Sequence, residues 1–175
     1  PEVCVISTND RESDIYEIFA EHHERQGRNQ VVAEWIIRSN QNRSLLASAD
    51  SEVSDPELLK LQRCVEQAPV LGTTTVSISA KTQFKKKQGN SKLTRRTARL
   101  AVLEVRVCQM QLKPPFRKGM KLSPITLQVV MAKEMNPPSG EDPIEWILLT
   151  SLRVQNLADA LRVITLYCLR WQVEV

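Results

Sequence analysis

Tyr167, Arg170 and Glu174 near the end of the chain are spaced i, i+3, i+7. On a helix turning ~100° per residue, Arg170 falls ~60° and Glu174 ~20° from Tyr167, so the three share one narrow arc. The apolar residues of that segment, Leu157, Leu161, Ile164, Cys168 and Trp171, centre roughly 100° away, so the polar trio flanks the buried stripe. A second acid, Asp10, follows a strand-like stretch at its C-terminal edge, where open α/β sheets place their sites. Carboxylates that converge from distant parts of a chain can hold Mg²⁺, which takes oxygen ligands and keeps waters for a phosphate substrate. Two such ions activate the attacking oxygen of a phosphodiester and steady the leaving one. Each acid also has a plainer use. An Asp after a strand caps helices, and a Glu on a helix is commonly solvated.

Several elements must position these residues. Val3 to Ser7 reads as a short buried strand that delivers TNDRESD, a polar turn rich in capping residues. In DIYEIFAEHHER, Ile15, Ile18, Phe19 and His22 keep a helical period. VVAEWIIRS, residues 31 to 39, is a β-branched strand with Trp35 inside, and it carries Arg38. SDPE at 54 to 57 forms a capping box, followed by Leu58, Leu61 and Val65 at helical spacing. Beyond residue 70 the period changes from 3.6 to 2. TVSISAK and LEVRVC alternate, and ITLQVVM is strand-like, joined by loops rich in Lys, Gly and Pro. IEWILLTS at 144 to 151 is a more continuously apolar strand, and Asn156 caps a long final helix. The order predicts an α/β layer interrupted by a β-rich insertion. Its core occupies residues 1–69 and 144–175, and the antiparallel insertion occupies 70–143.

A chain of 175 residues is long enough for a real core, and 42% hydrophobic with 25% charged residues suits a soluble globular protein. No stretch approaches the ~20 apolar residues of a membrane span, and no signal peptide opens the chain. Cys4, Cys64, Cys108 and Cys168 are far apart in apolar surroundings, which favours small buried hydrophobes in a reducing cytoplasm over a zinc site or disulfides. The adjacent His22 and His23 point ~100° apart on a helix and cannot easily share one ion, so both read as structural. The net charge of +4 is unevenly spread: KKKQGNSKLTRRTAR, residues 85 to 99, holds seven bases and no acid. Such a run is either a solvated hairpin or a surface that gains affinity by releasing counterions from nucleic acid. The chain opens at Pro1 inside a strand, and is expected to be a fragment of a longer protein.

DRESDIYE after a strand, IIRS on the next strand, WILLTS before the last helix and Y-x-x-R-x-x-x-E within it occur in this order. Together they resemble the bacterial cut-and-paste DDE transposases of the transposon-five group, which carry a Tyr-Arg-Glu-Lys signature. The resemblance covers essentially the whole chain and is loosest through residues 70 to 140. It implies an RNase H-like mixed sheet with flanking helices, split by a β-rich insertion before the catalytic Glu. It also implies metal-dependent DNA cleavage and strand transfer. On this pattern Asp10 matches the second catalytic Asp and Glu174 the catalytic Glu, both as metal ligands for two Mg²⁺ ions that Mn²⁺ can replace. Tyr167 and Arg170 match residues that grip phosphates of the transposon end, and an Arg fork suits phosphate oxygens.

Arg38 matches an active-site Arg, with a surface strand Arg as the alternative. Trp146 matches an aromatic that stacks on a base flipped from the duplex end, with a core Trp as the alternative. The implied partners are transposon-end and target double-stranded DNA and a second protomer in a homodimeric synaptic complex. The implied location is the bacterial cytoplasm, with the nucleoid. The group's first catalytic Asp would lie upstream of this chain and its signature Lys beyond Glu174. A chain with two of three acids is therefore expected to be inactive alone. A non-catalytic DNA-binding remnant of a decayed or repurposed element is the alternative.

Overall fold

The computed structural model describes residues 4–46, 59–87 and 90–170, with 82–95 described by their backbone. Strand β1 (Ile6–Asn9) leads through a 3₁₀ turn into helix α1 (Tyr16–Gly27), then strand β2 (Glu34–Arg38) and helix α2 (Leu61–Gln67). Next come β3 (Val70–Ile78), β4 (Lys81–Lys87), β5 (Asn90–Arg96), β6 (Arg99–Leu112), β7 (Ile125–Glu134) and β8 (Glu145–Thr150), with helix α3 (Leu157–Leu169) last. Six strands form one mixed sheet in the order β1-β2-β8-β7-β6-β3. The β1–β2 pair is parallel and the other four pairs are antiparallel. The segment from 70 to 143 thus contributes three strands to the same sheet as β1, β2 and β8. It also forms a separate two-stranded ribbon, β4–β5.

Strand alternation sends successive side chains to opposite faces and so builds two cores. From β2 and β8, Ile36, Trp146 and Leu148 pack under α3 with Ala160, Val163, Ile164 and Tyr167. Trp35, Ile37 and Leu149 point the other way, toward Tyr16 and Phe19 of α1 and Leu61 and Val65 of α2. Burying a Leu, Ile or Phe side chain contributes roughly 1.5–3 kcal/mol, so these two layers hold the helices far more firmly than helix propensity could.

α3 begins as its sequence predicts, with the Asn156 side chain accepting from the Asp159 amide at 3.0 Å. α2 buries Leu61 and Val65 as expected, while the SDPE box lies outside the described residues. α1 departs from its periodicity: Tyr16 and Phe19 are buried, but Ile15 and Ile18 are 46% and 41% exposed. The cause is the stacking of Phe19 on Trp35, with ring centroids 4.8 Å apart, which rotates the helix onto its aromatic side. Among the described residues no helix is long and apolar enough to cross a membrane.

Candidate functional site

The two-residue repeat that turns Ile6 toward the α3 layer continues to Asp10, just past the end of β1. Arg38 closes β2 on the same face as Ile36. Tyr167 and Arg170, three residues apart, lie on one side of the last turn of α3. Segments more than 150 residues apart in sequence therefore meet at one end of the parallel strand pair. The Tyr167 hydroxyl donates to Asp10 Oδ1 at 3.3 Å, and Arg170 Nη1 donates to Asp10 Oδ2 at 3.2 Å. Arg38 Nη1 stands 3.9 Å from Asp10 Oδ1, while Arg38 Nη2 donates to the Glu145 carbonyl at 3.3 Å.

These contacts are long. An O–H donor normally sits 2.5–3.0 Å from its acceptor, so Asp10 is surrounded without being locked. Its side chain is 19% exposed, as is that of Arg38, and that of Arg170 is 22% exposed, which leaves the group open on one side. Tyr167 is fully buried behind them. Its phenol is pushed up to about 12, mainly by burial and further by the negative charge of Asp10, with Arg38 pulling the other way. Tyr167 is therefore a neutral donor at physiological pH, fixed in position by the core it belongs to.

Trp146 is placed by β8 beside this group, edge-on to Tyr167 with ring centroids 5.6 Å apart. At 7% exposure it is a member of the α3 core. Of the two readings of Trp146, the packing seen here is that of the core residue. It backs Tyr167 and presents little ring surface to a base.

A further arginine, Arg96, lies within electrostatic reach of Arg38. Arg96, at the base of the ribbon, donates to the Ser79 carbonyl at 3.2 Å. Its pKa is lowered first by burial and then by the like charges of Arg99 and Arg38, with Glu141 and Glu134 opposing. The basic run signals Arg96 only collectively; nothing local separates it from its neighbours.

Asp10 suits a divalent cation in kind: a partly exposed carboxylate oxygen pair with only long hydrogen bonds. Alone it does not complete a site, because among the described residues no three His, Cys, Asp or Glu side chains converge. The matched acid Glu174, and Trp171 of the apolar stripe, lie outside the described residues. His22 sits edge-on to Trp35 with ring centroids 6.0 Å apart and lies 3.8 Å from Glu34, while His23 is exposed.

Ionic clusters are not visible in the sequence where their members are scattered, and Lys133 between Glu66 and Glu145 is one example. Arg43 binds Asp14 on the α1 side of the sheet, and Arg99 bridges Glu134 and Glu141 at the ribbon base. None of the four cysteines forms a disulfide; Cys4 is exposed rather than buried, the other three are half-buried, and burial raises the thiol pKa values of Cys64, Cys108 and Cys168, which favours their inert form. No protein-family model matches the chain.

Proposed function

We propose that this chain is part of a DDE transposase: an RNase H-like core with a β-rich insertion, acting on DNA phosphodiesters as one protomer of a synaptic dimer. The observation that carries this reading is the convergence of Asp10, Arg38, Tyr167 and Arg170. They come from three distant segments, and the motif resemblance singled out these four residues in advance. In this reading Asp10, with Glu174, would hold Mg²⁺. When bound, the metal supplies the positive charge that activates the attacking oxygen and offsets charge on the leaving one. Arg170 and Arg38 bind non-bridging phosphate oxygens and orient the scissile bond, a positioning task that suits planar guanidinium groups. Tyr167, un-ionised, adds a neutral hydrogen bond and steadies Asp10.

The ribbon supports a polyanionic partner. Its register sets Lys81 opposite Arg96 and Lys85 opposite Lys92. Like-charged residues directly opposite destabilise an antiparallel pair in water, and bound phosphates remove that cost. The test is cleavage of a transposon-end duplex by the full-length protein in Mg²⁺. Asp10→Ala and Glu174→Ala are expected to abolish cleavage while leaving end binding within a few-fold. Cleavage that survives either change would overturn the assignment.

A further inference from the structure

Between β6 and β7 the chain makes a second cationic excursion, KPPFRKGMK at 113 to 121, with four bases and no acid. At its tip Phe116 is 91% and Met120 56% exposed. A soluble protein gains nothing in stability from an aromatic held in water, and exposed loop residues on a rigid scaffold commonly serve binding. This loop is held firmly. Arg117 Nε donates to Glu17 Oε1 at 2.7 Å, and the Met120 amide donates to the Arg117 carbonyl at 3.2 Å. Gly119, at φ +78°, supplies the left-handed residue which that tight turn requires. On either side, the Lys113 amide donates to Ser44 O at 2.9 Å and the Tyr16 hydroxyl to Ser123 O at 2.8 Å. Leu122 packs into the α1 core. Lys113, Lys118 and Lys121 are exposed, and among the described residues no acid forms an ion pair with them.

We propose that this loop is a second contact for duplex DNA, with Lys113, Lys118 and Lys121 on backbone phosphates and Phe116 and Met120 wedged against a base step. The proposal rests on DNA being the partner in the reading above. The residue types decide between anionic partners. Membrane adsorption scales with apolar area, and two side chains supply little of it, whereas Phe, Met and Pro are the residues that wedge base steps in company with Lys and Arg. The pinned backbone limits the ordering cost on binding to that of the exposed side chains.

The experiment is duplex binding by fluorescence anisotropy across a salt series, using the full chain and two loop variants. K118E/K121E is expected to lower the slope of log affinity against log salt by about two, at ~0.9 per phosphate contact. Phe116→Ala is expected to weaken binding about tenfold at unchanged slope, because a wedge carries no charge. Both sites are exposed, so melting midpoints should not move. Unchanged duplex affinity in both variants overturns the proposal. So does a parallel series with phosphatidylserine vesicles in which the variants lose vesicle binding and keep duplex binding. If the chain binds duplex yet ignores both loop variants, the loop fails and the functional reading stands. If it binds no duplex at all, both fail.

Discussion

Asp10 and Asp14 are four residues apart, each faces arginine, and they are built in opposite ways. Asp14 lies in the α1 layer with its side chain fully buried. Its Oδ1 accepts from Arg43 Nε at 2.9 Å and from Arg43 Nη2, and its Oδ2 accepts the amides of Asn40 and Gln41 at 2.7 and 2.8 Å. Arg43 in turn lies over the rings of Tyr16 and Phe19, 5.8 and 5.4 Å from their centroids. Every acceptor position that burial would otherwise leave unpaid is filled, so this pair ties the loop after β2 to the start of α1. Asp10 has longer contacts, a solvent-facing side and donors drawn from two elements far apart in sequence, β2 and α3. One aspartate is saturated, and the other keeps capacity for a ligand. Burial and saturation separate a structural carboxylate from a candidate functional one better than residue type does.

The largest effect should come from the saturated site. Asp14→Ala leaves Arg43 buried without its counter-charge and frees two loop amides, which should cost about 3–5 kcal/mol in urea unfolding. A loss near zero would mean that the loop rearranges and that Asp14 is no anchor.

The Arg99–Glu134 pair should fall between the two extremes. Arg99 holds Glu134 by two bonds of 2.7 and 2.8 Å and keeps its carboxyl below the usual range, while the Ile144 amide also donates to it at 2.9 Å. Arg99→Met should cost about 1–3 kcal/mol at neutral pH, since one donor remains. A lowered folded pKa gives stability that is full above the unfolded value, near ~4.3, and lost as pH falls through the folded one. The difference between wild type and variant should therefore shrink in acid. A gap that is constant from neutral pH down to acid unfolding would contradict the pairing.

The smallest effect on stability is expected at Asp10. Its partly exposed, long contacts are of the kind worth up to ~1 kcal/mol, and removing it also relieves no buried strain. Asp10→Ala should thus leave the urea midpoint nearly unchanged, and an effect as large as that of Asp14→Ala would erase the contrast on which the site assignment stands.

Much of the frame was legible from local chemistry. The period-2 and period-3.6 stretches marked the strands and α3, Asn156 announced the start of that helix, and the spacing of Tyr167 and Arg170 predicted their shared side. These signals survive because they depend only on neighbours within a turn or a pleat. Motif order drew attention to Asp10 and Arg38, whose meeting with α3 periodicity alone could not foresee. The α1 reading failed in detail, since Ile15 and Ile18 match a helical stripe as well as Tyr16 and Phe19 do. Only the position of Trp35 across the gap selects the aromatic side.

Sheet order, ion-pair partners and the state of Trp146 were decided in three dimensions. The strand-like ITLQVVM marks β7 but not its place between β8 and β6, because strand pairing depends on registers summed over distant segments. Asp14 and Arg43 look like ordinary loop residues until the chain folds back, and Trp146 joins the core because α3 seats Tyr167 against it. Local propensity is written residue by residue, whereas burial and charge pairing exist only once remote segments exclude water together.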